Sequence, residues 1–197
     1  MLLGLDFDNT LIRYDELFYR MAREKGLIPV TLAKEKNAVR DHLRRTGRED
    51  EWTRMQGEAY GPRIREAVAC DGALAALSVL RQKGVRMRLI SHKTRTPYLG
   101  PPHDLHQAAW GWLERHGFFA QNGLGWSEDQ VFFEQTKEEK IRRIVALGCT
   151  HYVDDLPEIL DMLPDTLVKV YYAPRGGEQA SGRQVLRTWA DLPALLC

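Results

Sequence analysis

LLGLDFDNTLI, residues 2–12, is the stretch that decides the reading of the chain. An apolar run ends abruptly on Asp6 and Asp8, with Phe7 between them and Asn9 and Thr10 behind. A short run of this kind reads as a buried strand. Two carboxylates at its tip repel each other, and like charges a few ångströms apart raise a pKa or call for a cation.

Working outward, residues 14–69 change character. DELFYRMAREKGL sets Leu17, Phe18, Met21 and Ala22 at helical spacing, and AKEKNAVRDHLRR and DEWTRMQGEAYGPRIREAV are amphipathic as well. Pro29, Gly47 and Pro62 punctuate this block, which shows no strong strand pattern. Beyond it, strands and helices alternate. GALAALSVLRQK (72–83) is a helix closed by Gly84, and VRMRLIS (85–91) is a strand. A helix at 104–117, a short strand at 130–133 and a helix at 136–148 come next, the last opened by a capping box of Thr136 and Glu139. THYVDD (150–155) and LVKVYY (167–172) read as strands, 174–183 as a loop, and 183–196 as a closing helix. This alternation predicts an α/β fold with a parallel, doubly wound sheet.

In such sheets ligands bind at the carboxyl ends of the strands. Those ends carry Asp6 and Asp8, then Ser91, then Asp154 and Asp155, with Lys137 at the first position of the following helix. Any one of these acids could cap a helix, but two pairs at separate strand ends are hard to explain that way. Hard oxygen donors at an open edge suit Mg²⁺, which takes few protein carboxylates and keeps room for a phosphate.

These segments resemble, in order, the four motifs of the haloacid dehalogenase (HAD) superfamily. LLGLDFDNTLI is similar to the first, Asp-x-Asp-x-Thr after an apolar strand. VRMRLIS is similar to the second, Lys137 to the third-motif lysine, and THYVDD to the acidic fourth. The resemblance runs from residue 2 to about 158. It implies a Rossmann-like three-layer sandwich, with a catalytic core of 1–13 and 70–197 and a small helical cap inserted at 14–69.

It also implies roles. Asp6 would be the nucleophile that accepts a phosphoryl group, and Asp8 would protonate the leaving oxygen and then activate water. An acid at that second position is what phosphatases and phosphomutases of the family have and its dehalogenase branch lacks. Asp6, the backbone carbonyl of Asp8, and Asp154 would hold Mg²⁺, with Asp155 acting through water or orienting Lys137. Ser91 and Lys137 would bind phosphate oxygens. Lys140, one turn on, is the alternative lysine, and Lys93 in SHKT could also reach phosphate. The expected activity is a Mg²⁺-dependent phosphatase acting on a small metabolite such as a sugar phosphate or nucleotide. A phosphomutase and a receiver-type phospho-accepting domain are the alternatives.

The Pro-, Gly- and His-rich loop SHKTRTPYLGPPHDLH (91–106) leaves the same edge, where His92, Arg95, Tyr98 and His103 could grip a leaving group. The chain is 44% hydrophobic and 28% charged, with a formal net charge of +1, which speaks for a globular protein and against nucleic acid as the main partner. Three cysteines without CxxC spacing suggest a reducing compartment. With no signal-peptide pattern at the start and no apolar run of about 18 residues, the expectation is a cytoplasmic protein that does not span a membrane.

Overall fold

A computed structural model describes residues 1–176 and 182–196. The chain divides into two compact units: one of Met1–Ile12, Ala69–Lys93 and the stretch from His116 onward, the other of Arg13–Val68 and Thr94–Arg115.

The first unit is built on a six-stranded sheet. Its strands are β1 (Leu2–Leu5), β4 (Arg86–His92), β5 (Val131–Glu134), β6 (His151–Asp154), β7 (Val168–Tyr172) and β8 (Arg183–Leu186), in the spatial order β5-β4-β1-β6-β7-β8. Every neighbouring pair is parallel. β1 therefore lies between β4 and β6, and the three tips that carry Asp6, Ser91 and Asp154 stand side by side. The segment read as a closing helix differs from that reading. Arg183–Leu186 pairs with β7 as an edge strand, and only Leu192–Leu196 (α8) is helical, after a 3₁₀ turn at Trp189–Asp191. The loop expected at 174–183 falls partly outside the described residues.

Helices α4 (Ala73–Gln82), α6 (Lys137–Ala146), α7 (Pro157–Met162) and α8 belong to this unit. α6 begins with the expected capping box, in which the Thr136 hydroxyl accepts from the Glu139 amide and Glu139 accepts from the Thr136 amide. Ile144 of α6 and Ile159 and Leu160 of α7 pack with Leu2, Ile90 and Tyr152 on one face of the sheet. Gly4 of β1 makes that packing possible. A Cβ there would lie 2.5 Å from the Tyr152 ring, which crosses β1 so that its hydroxyl can donate to the Ile90 carbonyl.

The second unit contains α1 (Asp15–Glu24), α2 (Lys36–Arg45), α3 (Glu49–Tyr60), a 3₁₀ turn at Ile64–Glu66 and α5 (Leu105–Arg115). Its core joins Phe18 and Trp52, 4.7 Å apart between ring centroids, with Tyr14 and Tyr60. Gly57 and Gly61 allow the 94–104 segment to pack against α3: a Cβ on Gly57 would meet Pro97 at 2.8 Å, and one on Gly61 would meet His103 at 3.1 Å. Of the four places where the chain passes between the units, two carry β2 (Ile12–Arg13) and β3 (Val68–Ala69), which pair in a two-stranded sheet of their own. Among the described residues no helix is long and apolar enough to cross a membrane.

Candidate active site

The turn after β1 sets the first two acids. The Asp6 amide donates to the Val153 carbonyl at 3.0 Å, carrying the β1–β6 ladder one residue past the strand. The amides of Thr10, Leu11 and Ile12 then converge on the Phe7 carbonyl at 3.3, 2.9 and 3.1 Å. This tight turn needs a left-handed residue, and Asn9 supplies it with φ of 60°. Phe7 is fully buried, which anchors the turn between the two carboxylates.

Asp6 lies buried with two donors on its carboxylate. Its Oδ1 accepts from the Ser91 hydroxyl at 2.8 Å and from Lys140 Nζ at 2.6 Å, and Lys140 Nζ also donates to Asp154 Oδ2 at 2.6 Å. Asp154 Oδ1 accepts from the Leu156 amide at 2.8 Å. Asp155 sits alongside, its Oδ1 3.4 Å from the Thr10 hydroxyl that donates to it. Thr10 itself is fully buried, its carbonyl accepting from the Trp189 indole at 3.2 Å.

The lysine differs from the one read in the sequence. Lys137, at the first position of α6, is half-exposed and reaches Glu158 at 2.7 Å rather than the acids at the strand tips. A helix N-terminus already carries partial positive charge and does not favour a cation directed along the axis. Lys140 stands one turn further in, four residues before the buried Ile144, and that phase carries its ammonium over the Tyr152 ring to Asp6 and Asp154. Burial works against the charged form of Lys140, but attraction to Asp6, then Tyr152 and Asp154, outweighs it and holds its pKa well above the ordinary value. Burial raises the Asp154 carboxyl to about 7, against the pull of Lys140.

Asp8 points elsewhere. Both of its carboxylate oxygens accept from Lys93 Nζ, at 2.9 and 3.2 Å. Lys93 is buried beside the Phe7 ring, and its amide donates to the Glu134 carbonyl at 2.8 Å, continuing the β4–β5 pairing. Asp8 thus offers its side chain to Lys93, while the acids able to share one ion are Asp6, Asp154 and Asp155. One oxygen from each lies within 4.8 Å of the others. Asp6 and Asp154, both buried, share one ammonium, Asp155 stands beside them, and all the donors are hard oxygens. That set fits a small divalent cation.

The loop expected to grip a leaving group divides at Lys93. His92 stays with the first unit, its ring nitrogen 3.1 Å from the Gln135 carbonyl, and burial lowers its pKa. Arg95, Tyr98 and His103 belong to the second unit. Thr10 and the Lys93–Asp8 pair had no assigned role in the sequence reading. The only signal for Thr10 was its fixed place in Asp-x-Asp-x-Thr.

No family model matches the chain, and no curated protein matches it. Solved structures do. A dehalogenase in an intermediate complex superposes with a TM-score of 0.61 at 15% identity, covering 99% of this chain and 96% of its own. The chain has the fold of the haloacid dehalogenase superfamily. The Bacillus subtilis HAD protein YfnB bound to magnesium has a TM-score of 0.56 at 14% identity, with 99% of this chain and 97% of that one covered. A phosphoserine phosphohydrolase-like protein of Francisella tularensis gives 0.52 at 13% identity, over 99% of both chains. In this fold Asp6, Ser91, Asp154 and Lys140 gather at the carboxyl edge of the sheet, whereas the resemblance of the four motifs matched Lys137, not Lys140, to the third-motif lysine.

Proposed function

We propose that the protein is a Mg²⁺-dependent phosphohydrolase that cleaves a small phosphate monoester through a phosphorylated Asp6. The observation that carries this reading is the Ser91–Asp6–Lys140–Asp154 chain of hydrogen bonds, with a second acid, Asp8, two residues after Asp6. Magnesium-bound and phosphohydrolase-like proteins among the structures of the same fold support it, and dehalogenases of that fold make the discriminating residue Asp8.

Asp6, Asp154 and the backbone carbonyl of Asp8 would hold the ion, with Asp155 beside them. When bound, Mg²⁺ supplies positive charge that neutralises the phosphoryl oxygens and orients them. Ser91 and Lys140 both engage Asp6 Oδ1, so Oδ2 is the oxygen left to attack phosphorus. As the Oδ2–P bond forms, the P–O ester bond breaks. The leaving oxygen takes its proton from the Asp8–Lys93 pair. In the second half, that pair takes a proton from water, the water oxygen bonds to phosphorus, and the P–Oδ2 bond breaks to release phosphate and regenerate Asp6. Lys140, with a third N–H beyond the two given to Asp6 and Asp154, counters the charge on the equatorial oxygens in both steps, and Ser91 holds Asp6 Oδ1 in place. Lys93, donating to both Asp8 oxygens, fixes where that carboxyl points.

The test is turnover of p-nitrophenyl phosphate alongside halide release from a 2-haloacid. The reading expects phosphate release that stops with EDTA, returns with Mg²⁺ and returns poorly with the larger Ca²⁺. Halide release without phosphate release, or full activity after exhaustive chelation, would overturn it. A screen of phosphorylated metabolites would then name the substrate.

A further inference from the structure

The second unit holds a cleft of about 370 Å³ built wholly from its own residues, between the segment that follows α3 and the face of α5. Arg65, from the Ile64–Glu66 turn, and Arg115, from the end of α5, both line it, and so does His103. Neither guanidinium has a hydrogen-bond or ionic partner among the described residues. That is unusual in this unit, where every other arginine has one. Arg20, Arg40, Arg44, Arg54, Arg63 and Arg95 meet carboxylates, Arg23 and Arg48 meet carbonyls, Arg45 meets His42, and Arg13 is engaged too. The one acid lining the cleft, Asp104, is already committed, to Arg95 Nε at 3.2 Å and the Gln107 amide at 2.9 Å. The cleft therefore presents unmatched positive charge.

Trp112 lies at the base of the cleft, buried and locked by its indole N–H, which donates to the Ala67 carbonyl at 3.0 Å, so that base is rigid. Gly111 sits within α5, where glycine is a poorer helix former than alanine. Packing does not demand it, because a Cβ there would meet no atom within 4 Å. Its missing side chain is space left open in the cleft.

We propose that this cleft is a second binding site, for a small organic phosphate: the phosphoryl dianion between Arg65, Arg115 and His103, and an apolar body in the space left open at Gly111. Guanidinium forks match phosphate oxygens in pairs, and the volume lies in the usual range for small-molecule clefts. The site does not depend on the reaction assigned to the first unit.

The test is an NMR titration of the full ¹⁵N-labelled chain carrying Asp6→Asn, in EDTA, so that neither turnover nor metal-dependent binding contributes. The probes are phenyl phosphate, inorganic phosphate and benzoate. Saturable shifts of the Trp112 indole and the Gly61 and Gly111 amides are expected with phenyl phosphate. They should weaken about tenfold or more in the Arg65→Ser, Arg115→Ser double variant and vanish in Gly111→Leu. Tighter binding of phenyl phosphate than of inorganic phosphate supports the proposal, and equal binding, which leaves no role for an apolar body, would overturn it. Benzoate binding as tightly as phenyl phosphate, no saturable shift at these three residues, or shifts unchanged in the double variant would overturn it.

Discussion

Asp6 Oδ1 holds two donors, and one of them, Lys140, also ties down Asp154. The buried ammonium is thus the hinge of the site, and its removal should be felt twice. Lys140→Met leaves two buried carboxylates facing each other, a loss of about 3–5 kcal/mol in the metal-free protein, and should lower kcat by about 10²–10³-fold, as loss of a donor to a transferring oxygen does. Lys137→Met, which breaks only an exposed pair with Glu158, should leave both stability and kcat near wild type. Thermal unfolding and phosphatase kinetics on the two variants check this, and equal losses would contradict the placement of the lysine.

The Asp154 carboxyl carries the pH dependence at the same scale. Its folded pKa of about 7 lies above its ordinary value of 3.8, so between those two values the folded, metal-free chain binds more protons than the unfolded one. The contribution of Asp154 to stability therefore falls as pH rises from about 4 to about 7. A cation bound there would replace that proton. Apparent Mg²⁺ affinity should rise by up to about tenfold per pH unit below 7 and level off above it. Calorimetric titration of Mg²⁺ across that range measures it, and a flat profile would contradict the site.

At the scale of elements, β1 and α6 were legible and the phase of α6 was not. The run Leu2–Leu5 ending on acids, and Thr136 with Glu139 before a periodic segment, are local signals, and the structure forms both elements where they stand. Which lysine of α6 meets the strand tips depends on how the helix is rotated over β1 and β6. The sequence holds one clue, that Lys140 shares the stripe of Ile144, and Lys137 beside the cap obscured it. Pairing with β7, a tertiary contact, makes Arg183–Leu186 a strand.

Gly4 gives a test of element packing. Gly4→Ala would place its methyl 2.5 Å from Tyr152 and should cost about 1–3 kcal/mol by overpacking, read as a lower Tm.

In the second unit, Arg63 bridges Glu24 of α1 and Glu66 of the following turn at 2.6 and 2.8 Å. Hydrogen bonding to Arg63 lowers the Glu66 pKa from 4.5 to about 2. The stability this contributes is present above about 4.5 and is lost as pH falls toward 2. Because the groups are partly exposed, Arg63→Ala should cost only about 1 kcal/mol at neutral pH. Denaturant unfolding should show that difference shrinking in acid, and a constant difference would contradict the assignment.

For the molecule as a whole, the strand-helix alternation from residue 70 onward made the parallel sheet readable, and the order of the acidic tips pointed to the edge where Asp6, Asp154 and Asp155 gather. The composition of the second unit was less so. The 94–115 stretch joins the helices of Arg13–Val68, which was not expected from a helical insert at 14–69. The reason is side-chain fit, Gly57 against Pro97 and Gly61 against His103, which no periodicity reveals.

The central claim, that one carboxylate of this edge becomes phosphorylated, has a direct measurement. The protein is mixed with Mg²⁺ and substrate, quenched rapidly in acid and reduced with borohydride, which converts an acyl phosphate on aspartate to homoserine, and the peptides are sequenced by mass spectrometry. The account predicts homoserine at position 6 alone, absent with EDTA and absent in Asp6→Asn. Steady phosphate release with Asp6 unmodified, or modification at Asp8, Asp154 or Asp155 instead, would contradict it.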